Sequence, residues 1–171
     1  MAHSVIATTF GYAGVIANLV WPTFTNRTYL LIGQVLACLL MLTHFALLDA
    51  SSGAWIMGIA GIQAFLAIPL GQRPKFKIIY LASLTMTPVV CAVTWQGSQS
   101  VYSSLALAFV CIANFQLNQL YQRLWLITAI FAWIAHNSLI ASTPALISNA
   151  LALGISAWML LKTWRSENVQ M

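Results

Sequence analysis

A chain of 171 residues that is 61% hydrophobic and only 5% charged cannot cover a water-soluble surface with polar groups. Its mean hydropathy of +0.87 marks an integral membrane protein and leaves no polar block for a second, soluble domain. The net charge of +5 comes from basic residues scattered along an apolar chain. They read as topology marks, not as a nucleic-acid surface.

A membrane-spanning helix needs about 20 mostly apolar residues. Seven stretches approach this: 5–21, 29–48, 53–70, 78–95, 101–119, 124–141 and 144–161. They are apolar on all sides, which argues for helices over barrel strands that alternate across about ten residues. The first stretch lacks the basic start and small-residue cleavage site of a removable signal, so it is expected to stay as an anchor. Cys38, Cys91 and Cys111 fall inside apolar stretches and form no Cys-x-x-Cys pair, so neither a disulfide framework nor a metal site is expected.

The breaks between stretches have legible chemistry. Pro22, Asn26 and Arg27 stand in the first break. Asp49, Ser51 and Ser52 form the next break, where a serine is expected to cap the third helix. Residues 71–77 carry Arg73, Pro74, Lys75 and Lys77. Gln96 to Ser100 is uncharged, and Arg123 marks the fifth break. Ser142-Thr143-Pro144 offers a capping hydroxyl, then a proline in the first helical turn. With seven spans, Arg27, the 73–77 group, Arg123, Lys162 and Arg165 all fall on one side, opposite Asp49. The positive-inside rule makes that side cytoplasmic, with the N-terminus outside and a cytoplasmic tail at 163–171. Trp21, Trp95, Trp125 and Trp164 lie near span ends, as interfacial anchors do.

The chain also contains an internal repeat. Ile16-Ala17-Asn18 through Arg27 aligns with Ile112-Ala113-Asn114 through Arg123, and His44 with His136; the offset falls from 96 to 92, about one helical turn. Spans 1–3 (residues 1–70) would then repeat as spans 5–7 (101–162), joined by a linker helix at 78–95. The fold expected is all-α: seven transmembrane helices as two parallel three-helix bundles in a 3-1-3 arrangement. Chance similarity between apolar stretches is the alternative.

The core Trp133-Ile-Ala-His136-Asn137, the segment His44-Phe45 with Leu47-Leu48, and the closing Leu160 to Arg165 with Trp164 resemble the YgjV-type bacterial inner membrane protein family. That resemblance implies location in the bacterial inner membrane and no settled function. The 3-1-3 order more distantly resembles the SWEET and SemiSWEET transporters of the PQ-loop group, through Trp133, Pro144 and Asn149. It implies that Trp133 and Asn149 line a solute pocket. The departures are plain. The place of the matching asparagine in span 3 lies near Gly58, with Gln63 on another face; Pro22 is followed by Thr23; and His136-Asn137 replaces the usual Tyr-Gly.

Each polar group inside an apolar stretch has a functional and a packing reading. Trp133 could stack on a flat solute or satisfy its indole within the bundle. Asn149 could bind a solute or join helices. His44 and His136 could gate with pH or simply bridge helices. Asn18 and Asn114 are read as pairing within their own bundles. At 1.5 Å per residue, Trp133 is expected about 14–16 Å and Asn149 about 8–10 Å from the turn at 142–144, toward mid-membrane. No acid lies inside a span, which argues against proton or sodium coupling. No nucleophile–base pair, phosphate loop or dense metal cluster is present, so an enzyme is not expected, nor a cofactor or metal. The functional expectation is a facilitative transporter of a small, polar, neutral, sugar-like solute. Trp133, Asn149, His136, Asn137 and His44 would line its path. The alternative is a non-transporting membrane protein with an assembly or regulatory role. The bilayer is the expected partner, a homo-oligomer stays open, and no nucleic acid is expected.

Overall fold

The computed structural model describes residues 2–21, 24, 26–116 and 118–169. Pro22, and the side chains of Arg27, Lys162 and Glu167, lie outside what it describes. Seven α-helices follow one another: α1 Ala2–Val20, α2 Arg27–Leu47, α3 Ser51–Leu70, α4 Lys77–Val93, α5 Ser98–Phe115, α6 Gln119–Leu139 and α7 Thr143–Val169. A short 3₁₀ turn, Pro74–Phe76, leads into α4. Among the described residues, five helices are long and apolar enough to cross a membrane: Thr28–Leu47, Ser51–Leu70, Pro74–Val93, Ser98–Phe115 and Thr143–Leu161. The expectation of seven such spans is narrowed accordingly. The apolar part of α1, Val5–Val20, is shorter. In α6 the polar Gln119, Gln122, Arg123, His136, Asn137 and Ser138 dilute the apolar residues.

Neighbours in the chain pack side by side, from α1·α2 through to α6·α7, and α1 also packs on α7 while α3 packs on α5. Six helices thus close a ring in the order α1, α2, α3, α5, α6, α7. The fourth, α4, lies outside it against α3 and α5. The outer surface is apolar, with Val5, Ile16, Ile62, Phe65, Val93 and Leu151 exposed, as suits contact with lipid chains. Small residues let the helices approach. A Cβ on Gly14 would meet Met41 Sδ at 2.6 Å, and one on Gly61 would meet Cys38 Cβ at 3.3 Å. Within α4, Pro88 cannot donate a backbone hydrogen bond to Leu84. The Thr87 hydroxyl donates to the Leu84 carbonyl instead, at 2.9 Å.

The two middle helices of each half, α2 and α6, are built alike. Each has 21 residues and an asparagine N-cap, Asn26 or Asn118, whose side chain accepts from the second and third following N–H groups. The equivalent of Arg27 is therefore Gln119, and the offset is already 92 at these caps; the gapless match of Arg27 with Arg123 does not hold. Both helices end in the same left-handed turn. Ala50 N–H bonds Phe45 O and Asp49 N–H bonds Ala46 O; Ser142 N–H bonds Asn137 O and Ala141 N–H bonds Ser138 O. This double bond pattern is the Schellman cap, and it needs a positive φ one residue past the C-cap. Asp49 has φ 56° and Ala141 φ 52°.

The next helix starts differently in the two halves. Ser142 Oγ caps α7 by accepting from Ala145 N–H at 3.4 Å. The serine cap expected for α3 is absent: its N-cap is Ala50, with no side-chain bond. Gln96, from the α4–α5 turn, takes that role. Its Oε1 accepts from Ser51 N–H at 3.0 Å and its Nε2 donates to Asp49 O at 2.6 Å.

Ala141 is exposed and holds a conformation that costs an L-residue roughly 1 kcal/mol relative to glycine. Ala141→Gly should therefore raise the unfolding midpoint of the purified protein by a few degrees. A lowered midpoint would show that the turn is not strained.

Candidate functional site

The site builds from the last turns of α2 and α6. Both histidines occupy the last turn of their helix, and both are buried, at 1% and 0% exposure. His44 Nδ1 lies 2.7 Å from the Ala7 carbonyl of α1. A carbonyl can only accept, so Nδ1 carries the proton and Nε2 of the neutral ring is left as an acceptor. The Ser142 hydroxyl donates to it at 2.7 Å. One ring thus joins α1, α2 and the start of α7. Gly11 makes room: a Cβ there would stand 2.8 Å from the His44 ring and 2.9 Å from Pro144.

His136 repeats half of this arrangement. Its Nδ1 donates to the Gln99 carbonyl at 2.8 Å, again 37 residues back along the chain. Its Nε2, however, is buried with no hydrogen-bond partner. That nitrogen faces Gly53, where a Cβ would come within 2.6 Å.

Between the histidines the interior is filled by rings. Phe45 and Trp133 stack nearly parallel, 5.9 Å apart at 4°. The His136 ring stands edge-on to both, at 5.5 Å from Phe45 and 5.5 Å from Trp133. His44 lies tilted against Phe45 at 5.4 Å. These spacings are those favoured by ring quadrupoles. Trp133 is half-buried and packs against two separate apolar clusters. One contains Met41, Phe45, Ala50 and Ala145; the other contains Ile56, Val90, Leu107 and Cys111.

Four of the five residues singled out in the sequence are thus near neighbours. His44, Trp133 and His136 are linked through Phe45, and Asn137 follows His136 on α6. Asn149 is not part of the ring cluster; it lies on α7, half-buried. Trp133 stands seven positions before the C-cap Ile140, and Asn149 seven after Ser142. Each is thus about 10 Å of helix from its own end of the turn; the expected distance of about 14–16 Å for the tryptophan is counted to residues 142–144 and so includes the turn residues themselves. Three side-chain atoms of this region are buried without a partner: His136 Nε2, Asn137 Oδ1 and Asn149 Nδ2. Ser52 Oγ, beside Gly53, is a fourth.

Sequence reasoning missed Phe45 as the centre of the cluster, because one phenylalanine in an apolar run carries no signal of its own. It missed Gln96 and Gln99 too, since their partners lie 37 or more residues away. Asn18 accepts from the Trp21 indole, just past the end of α1, at 3.4 Å, a local side-chain partner. Buried Gln63 donates to Cys111 Sγ at 3.6 Å, joining α3 to α5. Among the described residues no group of three or more His, Cys, Asp or Glu side chains is placed to hold a metal ion.

An apolar outer face, several helices able to cross a bilayer and polar groups turned inward define a multi-helix integral membrane protein. Residues 5–167 match the Imp-YgjV family, described as bacterial inner membrane protein. Since the match covers nearly the whole chain, the protein belongs to that family, and it is a bacterial inner membrane protein. No curated protein matches the chain, and no solved structure does.

The bond between His44 and Ser142 gives a direct test of the helix junction. Ser142→Ala leaves a buried ring nitrogen unpaired and should cost about 1–3 kcal/mol, read as a lowered unfolding midpoint. Gly11→Ala should destabilise by a similar amount, about 1–3 kcal/mol, by forcing His44 or Pro144 aside. A melting curve unchanged in both would remove the junction from the account of stability.

Proposed function

We propose that the protein is a facilitative transporter of a small, polar, uncharged solute. All seven helices would cross the membrane as two three-helix units in the 3-1-3 order, joined by α4, with a distant likeness to the SWEET group. The observation that carries the reading is the set of unpaired buried atoms in the last turns of α6 and the first two turns of α7: His136 Nε2, Asn137 Oδ1 and Asn149 Nδ2; Arg123 Nε, also unpaired, lies toward the other end of α6. Each such group costs about 1–3 kcal/mol if nothing ever binds it. Two acceptors and one donor suit a hydroxyl-bearing solute. A cationic one would demand a carboxylate, and neither acid of the chain lies within a span. Trp133 would stack on the solute, Asn149 would hydrogen-bond it, and His136, Asn137 and His44 would line the outer side. Phe45 covers one face of Trp133, so solute entry on that face requires Phe45 to withdraw.

The same stack favours a second reading. A tryptophan held against a buried phenylalanine and two apolar clusters is also what a closed, non-transporting bundle needs. Asn149→Leu separates the two. Removing a buried unpaired group at similar volume should hold or raise basal stability under either reading. A panel of small neutral polyols is then tested for stabilisation of the purified protein. Transport requires that some polyol raises the melting point of the unaltered chain, and that Asn149→Leu and Trp133→Phe abolish or sharply reduce the shift. No shift with any polyol, or equal shifts in all three proteins, would favour the closed bundle.

The orientation follows from the basic residues. Arg73, Lys75, Lys77, Arg123 and Arg165 stand beyond or within about a turn of helix ends; if successive helices alternate in direction these ends share one side, which we assign to the cytoplasm. A reporter active only in the cytoplasm should work when fused after Arg165 and be silent when inserted at Gln96–Ser100. The reverse pattern would invert the topology.

A further inference from the structure

The turn between α3 and α4 holds a cavity of about 510 Å³, away from the ring cluster. Its walls are Leu70, Phe76, Ile78 and Ile79, with Pro74 at the bend, and its polar lining is Arg73 and Lys75. The turn is built firmly. Arg73 N–H bonds Leu70 O at 2.8 Å and Phe76 N–H bonds Arg73 O at 2.9 Å. Phe76 is buried with Leu31 and Ala67 and meets the Tyr80 ring edge-on at 5.4 Å. Both cations are exposed, and no carboxylate lines the cavity. The acids of the chain are Asp49, a helix length away past the end of α2, and Glu167 near the chain's end.

We propose that this groove binds an anionic phospholipid, its phosphate between Arg73 and Lys75 and its first chain segment along Ile78 and Ile79. The depth at which the groove lies selects this occupant. The candidate span Pro74–Val93 begins within the groove, so the cations stand at headgroup level while Ile78, 67% exposed, faces the level of the acyl chains. Basic residues at the cytoplasmic border of a span attract anionic headgroups in this way. A soluble phosphate ester would match the cations but leave the apolar wall uncovered. A zwitterionic lipid would match the wall but carry no net charge. The proposal is independent of any transport activity.

The test uses the full chain, purified in neutral detergent and stripped of lipid, and measures binding by native mass spectrometry and by melting shift. The probes are phosphatidylglycerol, phosphatidylcholine with the same chains, and glycerol phosphate. Phosphatidylglycerol should bind and stabilise, with much weaker effects from the other two. Arg73→Gln with Lys75→Gln should weaken that binding roughly tenfold or more, since each basic residue near an anionic lipid contributes about a factor of five. Ile78→Trp, which fills the groove and keeps both charges, should weaken it as well and guards against misfolding of the charge variant. Arg165→Gln, an exposed cation outside the groove, should leave it unchanged. Equal binding of phosphatidylcholine, equal stabilisation by glycerol phosphate, retained binding in the groove variants, or equal loss in Arg165→Gln would each overturn the proposal.

Discussion

The rest of the bundle depends on one imidazole with both nitrogens engaged. His44 takes the carbonyl of Ala7 on one side and the hydroxyl of Ser142 on the other. It thereby fixes where α1 meets α2 and where α7 begins. In lipid this matters more than an equivalent contact in water. Apolar side chains gain little by leaving lipid for one another, so helix contacts rest on close packing and on polar groups that find partners. Gly11 and Gly14 bring α1 close enough for the first of these to act. The closure of the ring, α1 against α7, is local to the same contact, because Gly11 lies against both His44 and Pro144.

A second fastening acts from the α4–α5 turn, and it explains how a helix outside the ring can order it. Ser100 Oγ accepts from Gln96 N–H at 2.9 Å and donates to Thr94 O at 3.0 Å, which sets the turn. From this base the Gln96 side chain caps α3, and the Gln99 carbonyl receives the His136 ring. The turn therefore touches both halves of the chain with polar bonds. Between those bonds lie the rings of Phe45, Trp133 and His136, which occupy the space where α2 faces α6. Any motion that opened a path there would have to unstack Phe45 from Trp133. The hydrogen bonds of both histidines to α1 and α5 could persist meanwhile, since they point outward to other helices.

Much of this was legible in the residues, for identifiable reasons. Hydrophobic runs of helical length located each of the seven helices, with α6 starting five residues earlier than the run at 124 and α7 continuing eight residues beyond the run's end at 161. Ser142 and Pro144 announced the start of α7, because a capping hydroxyl and a proline in the first turn act locally. Local chemistry also misled. Ser51 and Ser52 look like caps for α3, yet the cap is a glutamine 45 residues further on. Likewise, the match of Arg27 with Arg123 looked gapless because a helical repeat tolerates a shift of one turn with little change in pattern. The N-caps at Asn26 and Asn118, and the histidine-bonded carbonyls of Ala7 and Gln99, show an offset of 92 instead. Phe45 shows the same limit at the site: its importance lies in what surrounds it, and that is settled by three helices at once.

The near-symmetry of the two halves makes one difference between them informative. The Schellman caps, the asparagine N-caps and the histidine-to-carbonyl bonds all recur at an offset of 92. At that offset Ser142, which completes the bonds of His44, corresponds to Ala50, buried at 1% exposure. An alanine has no hydroxyl to offer, and the second nitrogen of His136 is left bare above Gly53. The two helix ends differ at this contact: His44 has both ring nitrogens paired and His136 only one. His44 then serves as the fixed joint. His136, with Asn137 beside it and Asn149 on the neighbouring helix, is left as the side of the bundle with unmet hydrogen-bonding capacity.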